Sequence, residues 1–179
     1  MKTFITADLH FGHANMMKFN PDTRQYRDAD HMNAMLVQEW NSAVGVDDLT
    51  YILGDFAFLQ ASKATAIARM LNGRKILVTG NHDGKLLREP DFCSCFEDIQ
   101  SYMRVVHNGT IVIMSHFPFL EWDQMHRGSV HFYGHVHGRK IGVEQFRCCD
   151  VGMDATGNVV SDMDYMVKNA LTGEIKSHH

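Results

Sequence analysis

Apolar residues fall in short blocks along the chain, and each block ends on a polar, glycine-containing loop. Residues 3–7 read as a short buried strand that runs into Asp8-Leu-His-Phe-Gly-His13. A polar stretch with Pro21 follows. Residues 30–43 then show helical spacing, with Met32, Met35, Leu36 and Trp40 on one face, Asn33 and Gln38 off it, and Gly45 with Asp47-Asp48 as the stop. Residues 49–53 form a second buried strand, ended by Gly54-Asp55. Ser62 is a candidate cap for a helix reaching Leu71, which Asn72-Gly73 terminates. Residues 75–79 make a third strand and lead directly into Gly80-Asn-His-Asp83.

This alternation of strands and helices indicates α/β architecture. The second half changes character. Residues 102–107 and 110–114 around Asn108-Gly109 predict a hairpin. Residues 131–133 and 143–149 are further short strands. Residues 165–168 are too short for a helix before Asn169-Ala170, and with 171–175 they suggest a closing hairpin. No linker or repeat divides the chain. The expectation is one domain over residues 1–176, with 14–48 as a helical insertion or lid and 177–179 as a solvated tail.

Composition narrows the classes. Hydrophobic residues are 45% and charged residues 21% of 179, which excludes a disordered chain. No apolar run approaches a membrane span, and the first strand begins almost at Met1, so no cleavable leader is expected and a cytoplasmic location is. The net charge of −4, without a basic tract, argues against a stable complex with duplex nucleic acid. It leaves small nucleotides as partners, and the composition sets no oligomeric state. The pairs Cys93/Cys95 and Cys148/Cys149 match no usual zinc knuckle and read as reduced thiols. Met16, Met17, Met32 and Met35 read as core or lid packing.

Twelve histidines matter less by number than by position. In open α/β sheets ligands bind beyond the carboxyl ends of strands. Five strand ends here carry metal-ligand side chains: Asp8 with His10, Asp55, Asn81 with His82, His116, and His135 with His137. One histidine after a strand is ordinary, whereas five such ends are not. The two Asp/His-x-His pairs, if extended, point to one side with Cα atoms roughly 6.5–7 Å apart, so each pair converges on one metal or straddles two. Gly134 and Gly138 beside the second pair allow close backbone approach.

Asp8-Leu-His10, Gly54-Asp55, Gly80-Asn-His-Asp83, Ser115-His116 and Gly134-His-Val-His-Gly138 resemble, in order, the five motifs of calcineurin-like metallophosphoesterases. The longer strings Asp-Leu-His-Phe-Gly-His13, Glu39-Trp-Asn41, Leu53-Gly-Asp-Phe-Ala57 and Ser115-His-Phe-Pro-Phe119 are similar to a compact bacterial and phage subgroup. The resemblance implies a four-layer α-β-β-α sandwich of two mixed sheets flanked by helices, with a metal site at the strand carboxyl ends. It implies that Asp8, His10 and His137 hold one divalent metal, that Asn81, His116 and His135 hold another, and that Asp55 bridges them. It further implies that Asn81 and His82 contact substrate phosphate, that His82 is the catalytic proton donor, and that Asp83 orients His82.

The chemistry agrees. Two divalent cations outweigh the carboxylates of Asp8 and Asp55 even with a bridging hydroxide, leaving a net charge of about +1 for a phosphoryl oxygen. Such a pair activates the bridging water for in-line attack. Histidine and carboxylate donors suit Mn2+, Fe, Zn, Ni or Mg rather than copper(I); manganese is favoured by the resemblance. His13 is a candidate substrate contact at the pocket edge. Arg24 and Arg27 read as solvated charge, with phosphate or ribose binding as the alternative. His31, His107, His126 and His131 match no ligand position.

Hydrolysis of a small nucleotide-type phosphomonoester or phosphodiester is the leading expectation, with the phosphodiester favoured because a retained His82 can protonate an alcohol leaving group. A phosphoprotein phosphatase has little extra surface to draw on. A single-strand nuclease would call for a basic groove, and a catalytically silent scaffold would have eroded ligands.

Overall fold

The computed structural model describes residues 1–176. In chain order its elements are β1 (Thr3–Thr6), α1 (Met16–Phe19), α2 (Ala29–Ala43), β2 (Leu49–Ile52), α3 (Ala61–Met70), β3 (Arg74–Val78), α4 (Pro90–Cys93) and β4 (Asp98–Gln100). The second half adds β5 (Tyr102–His107), β6 (Thr110–Ser115), β7 (Val130–Tyr133), β8 (Cys148–Asp150), α5 (Met153–Thr156), β9 (Ser161–Asp162) and α6 (Met163–Ala170). 3-10 helices at Asp83–Arg88 and Met125–Arg127 connect them.

The strands form two mixed sheets flanked by helices. The first has the order β4-β3-β2-β1-β9, parallel except for β9. The second has the order β5-β6-β7-β8, with β5 and β6 antiparallel and the others parallel. Strand alternation explains the layers. Phe4, Ile52 and Leu77 face one way, into a cluster with Met32, Leu36 and Trp40 of α2 and Ala64 and Ala68 of α3. Ile5, Tyr51, Leu53 and Val78 face the other way, onto Val112, Met114, Val130 and Phe132 of the second sheet. Each fully buried Val, Leu, Ile, Phe or Met among them contributes about 1.5–3 kcal/mol. The outer face of the second sheet, at Ile113 and Tyr133, is covered by Trp122, Met125 and Phe119.

The segment expected as an insertion or lid therefore supplies a flanking helix. Trp40 is fully buried, and its indole N–H donates to Asn72 O at 3.0 Å, tying α2 to the end of α3. Asp28 caps α2 by accepting from His31 N.

Three expectations are corrected. The closing hairpin over 165–175 is the helix α6: Asp162 caps it by accepting from Asp164 N and Tyr165 N. Met163, Met166, Val167 and Ala170 then bury one helical face against both sheets. The strand over 143–149 shortens to β8, because residues 143–146 close a turn in which Phe146 N donates to Val143 O at 2.9 Å. Gln60, not Ser62, precedes α3, and it makes no side-chain cap bond. The hairpin at Asn108-Gly109 forms as expected, with φ of 47° and 82°. The tail at 177–179 lies outside the described residues.

Candidate metal centre

β1, β2, β3, β6 and β7 all end at one place, and the seven expected ligands gather there. They arrive by an unexpected backbone route. Seven non-glycine residues among those described have positive φ, and five of them are Asp8 (57°), His10 (49°), Asp55 (54°), His135 (70°) and His137 (51°). Left-handed backbone at non-glycine residues costs roughly 1–3 kcal/mol each and persists where neighbours hold it in place. The two Asp/His-x-His pairs are thus tight left-handed turns, not extended chain. Asp8 and His10 converge with His137, whereas His135 and His137 diverge to opposite sides of the site.

Two groups of donor atoms converge. Ligand atoms of Asp8, His10 and His137 lie within 4.8 Å of one another, and so do those of Asp8, Asp55 and His116. Asp8 belongs to both groups, and Asp55 Oδ2 lies 3.6 Å from His10 Nε2 of the first and 3.5 Å from His116 Nε2 of the second. Asn81 Oδ1 lies 2.9 Å from His116 Nε2, and the His135 ring packs against His116 at 5.1 Å. Close backbone approach is built in. A Cβ on Gly134 would stand 2.6 Å from Asp8 Oδ2, and one on Gly80 would stand 2.3 Å from Asp55 Oδ1.

Hydrogen bonds orient the ligand side chains. His116 Nδ1 faces Leu53 O at 2.8 Å and His137 Nδ1 faces Asp154 Oδ2 at 2.8 Å, which turns each Nε2 inward. Asp8 accepts the His135 N–H at Oδ2, while its Oδ1 is buried without a partner. Both ring nitrogens of His10 are likewise buried and unpartnered. Orphaned buried acceptors cost about 1–3 kcal/mol each, and a shared cation is the partner their type calls for. The residues present therefore fit divalent metal.

The protonation tendencies follow from burial of the cage and from the charges gathered in it. Burial raises the Asp8 carboxyl to about 8, reinforced by Asp150 and Asp55 and opposed by His137. Burial, with His137 and Arg24 nearby, pushes His10 far below the usual imidazole range. Burial opposes a charged His137, but the Asp154 hydrogen bond and the Asp8 charge outweigh it and raise that group.

His82 stands at the open side, its side chain 40% exposed, with Nε2 3.9 Å from Asp55 Oδ2. Its backbone N–H donates to Asp55 Oδ1 at 2.9 Å. The His13 ring lies beside it at the rim, 5.5 Å from His10 and 4.7 Å from Phe58. Asp83 differs from expectation. Its carboxylate serves the backbone N–H groups of Asp55, Phe56 and Gly80 rather than His82, so it joins the second and third ligand loops from beneath.

Sequence reasoning missed a second layer. Arg24, expected in solvent, is fully buried. Its guanidinium donates to both Asp154 oxygens at 2.9 Å and to the carbonyls of Asp8 and Leu9. Asp154, also bonded by Thr23 Oγ1, links this cation to His137. Asp150 accepts from Gly138 N and Gly152 N, which fixes the turn after His137. The signal for Asp150 and Asp154 was another strand end, β8, whose acidic residues match no ligand motif.

No family model matches the chain. The Gene 66 protein of Mycobacterium phage D29 is 31% identical over 184 residues, spanning 88% of this chain and 90% of the phage protein. The Gene 66 protein of Mycobacterium phage L5 is 29% identical over 188 residues, spanning 89% of each. Among solved structures, the protein of unknown function AQ665 from Aquifex aeolicus superposes with a TM-score of 0.73 at 22% identity, over 94% of this chain and 98% of its own. That likeness extends to the fold.

Proposed function

The chain belongs to the same family as the Gene 66 protein of Mycobacterium phage D29, and we propose that it is a two-metal phosphoesterase, a phosphodiesterase acting on small nucleotide-type substrates. The observation that carries this reading is Asp55 Oδ2, 3.6 Å from His10 Nε2 and 3.5 Å from His116 Nε2, one histidine from each convergent donor group, with His82 Nε2 3.9 Å away. Asp8, His10 and His137 would hold one divalent ion. Asn81, His116 and His135 would hold the second, with Asp55 shared. The ions would supply Lewis acidity toward phosphoryl oxygens and toward water.

The chain's own residues do the rest. Leu53 O and Asp154 fix the tautomers of His116 and His137, so both present Nε2 without rearrangement. Asp83 and the His82 N–H hold Asp55 in place from two sides. In hydrolysis, water oxygen bonds to phosphorus, the bond from phosphorus to the alcohol oxygen breaks, and the water gives up a proton to solvent. His82 donates its ring proton to the departing oxygen and regains one from solvent. With a diester, one alcohol stays on phosphorus while His82 protonates the other, departing oxygen. His13 bounds the substrate side of the first loop.

The test is a screen of phosphomonoesters and phosphodiesters with Mn2+, before and after exhaustive chelation. Turnover should favour diesters, vanish on chelation and return with manganese. Turnover that survives complete metal removal refutes the reading.

A further inference from the structure

Beside the metal centre lies a cavity of about 1000 Å³, and Asn81 and His82 belong to both. Phe58 and Leu86 give it an apolar wall, and Lys63, Lys85 and Arg88 also line it. In a chain of net charge −4 this is a local excess of cation, since Glu89 is the one acidic residue in the lining. Lys85 and Arg88 lie three apart on the 3-10 helix Asp83–Arg88, whose three-residue turn places them on the same edge. Lys63 lines the same cavity from the first turn of α3. Among the described residues none of these three side chains is held in an ion pair. Arg24, Arg27, Arg74 and Arg104 each are. Phe58 is a large aromatic left 57% exposed, and its ring stands 6.0 Å from His82.

We propose that this cavity receives the leaving-group side of the substrate, a nucleoside carrying a second phosphate. This deepens the phosphoesterase reading and rests on it. The base lies on Phe58, where stacking serves any base. The second phosphate meets Lys85 and Arg88, with Lys63 in the same lining; guanidinium and ammonium donors give short, charge-assisted bonds to phosphate oxygens. A simple alkyl phosphate would use neither the aromatic wall nor the cations. The cavity lies on the His82 side, so the alcohol it holds is the one that His82 protonates.

Calorimetry with thymidine bisphosphate and thymidine monophosphate, in the presence of manganese, measures the second-phosphate preference directly. The bisphosphate should bind roughly tenfold more tightly. Lys85→Gln/Arg88→Gln should remove that ratio, and Phe58→Ala should weaken both ligands together. Arg104→Ala, a charge removal on β5, should leave the ratio unchanged. Equal affinities in the parent protein, or a ratio that survives in the double variant, overturn the proposal. A ratio that behaves as expected without hydrolysis of any diester removes the catalytic reading and keeps the site. Hydrolysis without the ratio removes the site alone. A phosphorylated dinucleotide bound as tightly as a longer oligothymidine assigns the second phosphate to a free nucleotide. Tighter binding of the longer strand assigns it to a strand end. Both results support the site.

Discussion

His82 and Asp154 show two ways in which single residues serve this site. His82 is half-exposed, and its Nε2 stands 3.9 Å from Asp55 Oδ2 while it belongs to neither convergent donor group, so it can reach substrate without being needed to hold metal. His82→Ala should therefore keep its metal content, read by elemental analysis, and lose about 10²–10⁴ in kcat on a diester. An unchanged kcat would remove His82 from catalysis. Asp154 acts through others: its carboxylate is held below the usual range by His137, Arg24 and Thr23, which together outweigh the opposing effect of burial. Asp154→Asn should weaken manganese affinity about 10–100-fold, because His137 loses the partner that fixes its tautomer. Equal affinity in a metal titration would reduce Asp154 to a structural role. The ligands were legible in the sequence because Asp, His and Asn at strand ends are conspicuous. Arg24 and Asp154 were not, since a buried pair 130 positions apart leaves no local spacing to read.

At the scale of elements, periodicity was informative where an element buries one clear face. α2 and the Asn-Gly hairpin follow directly from such patterns. α6 did not, because its apolar residues begin at the cap Asp162, ahead of the stretch that suggested a strand. The left-handed loops were also invisible. Their φ values depend on contacts such as Asp8 N to Gly54 O and His10 N to Asp55 O, which tie the first loop to the second.

His131 on β7 illustrates an element-level consequence. Its Nδ1 faces Ile113 O and its Nε2 accepts from Phe119 N, so the neutral ring pins the cover of the second sheet to β6. Burial lowers its pKa from 6.5 to about 4. The unfolded chain therefore binds more protons between these values. The stabilisation is complete above pH about 6.5 and falls as pH drops toward 4, by roughly 2–3 kcal/mol. His131→Gln should flatten this part of the stability-versus-pH curve from urea unfolding; a parallel curve would exclude His131 as its source.

The whole molecule is organised so that the site joins its two sheets. Asp8, His10, Asp55 and Asn81 follow strands of the first sheet, whereas His116, His135 and His137 follow strands of the second. No helix of the described residues is long and apolar enough to cross a membrane. Stability rests on the apolar clusters on the two faces of the first sheet and on what happens at the joined ends of the two sheets. Without a cation those ends are costly, since Asp8 Oδ1 and both His10 nitrogens are buried without partners and five ligands hold positive φ. A cation that binds these ligands only in the folded chain stabilises it by about 2.7 kcal/mol at a hundred times its Kd. For a chain of this size that corresponds to a rise in Tm of roughly 5–10 °C. The gain should be shared: hydrogen exchange should slow in β1 and β2 and in β6 and β7 together when manganese is added. Asp55→Asn should lose the coupling, because the carboxylate oxygen 3.6 Å from His10 Nε2 and 3.5 Å from His116 Nε2 is then a weaker ligand. Protection confined to the first sheet would mean that the ions do not bridge the sheets, and Asp55 would then serve one ion rather than two.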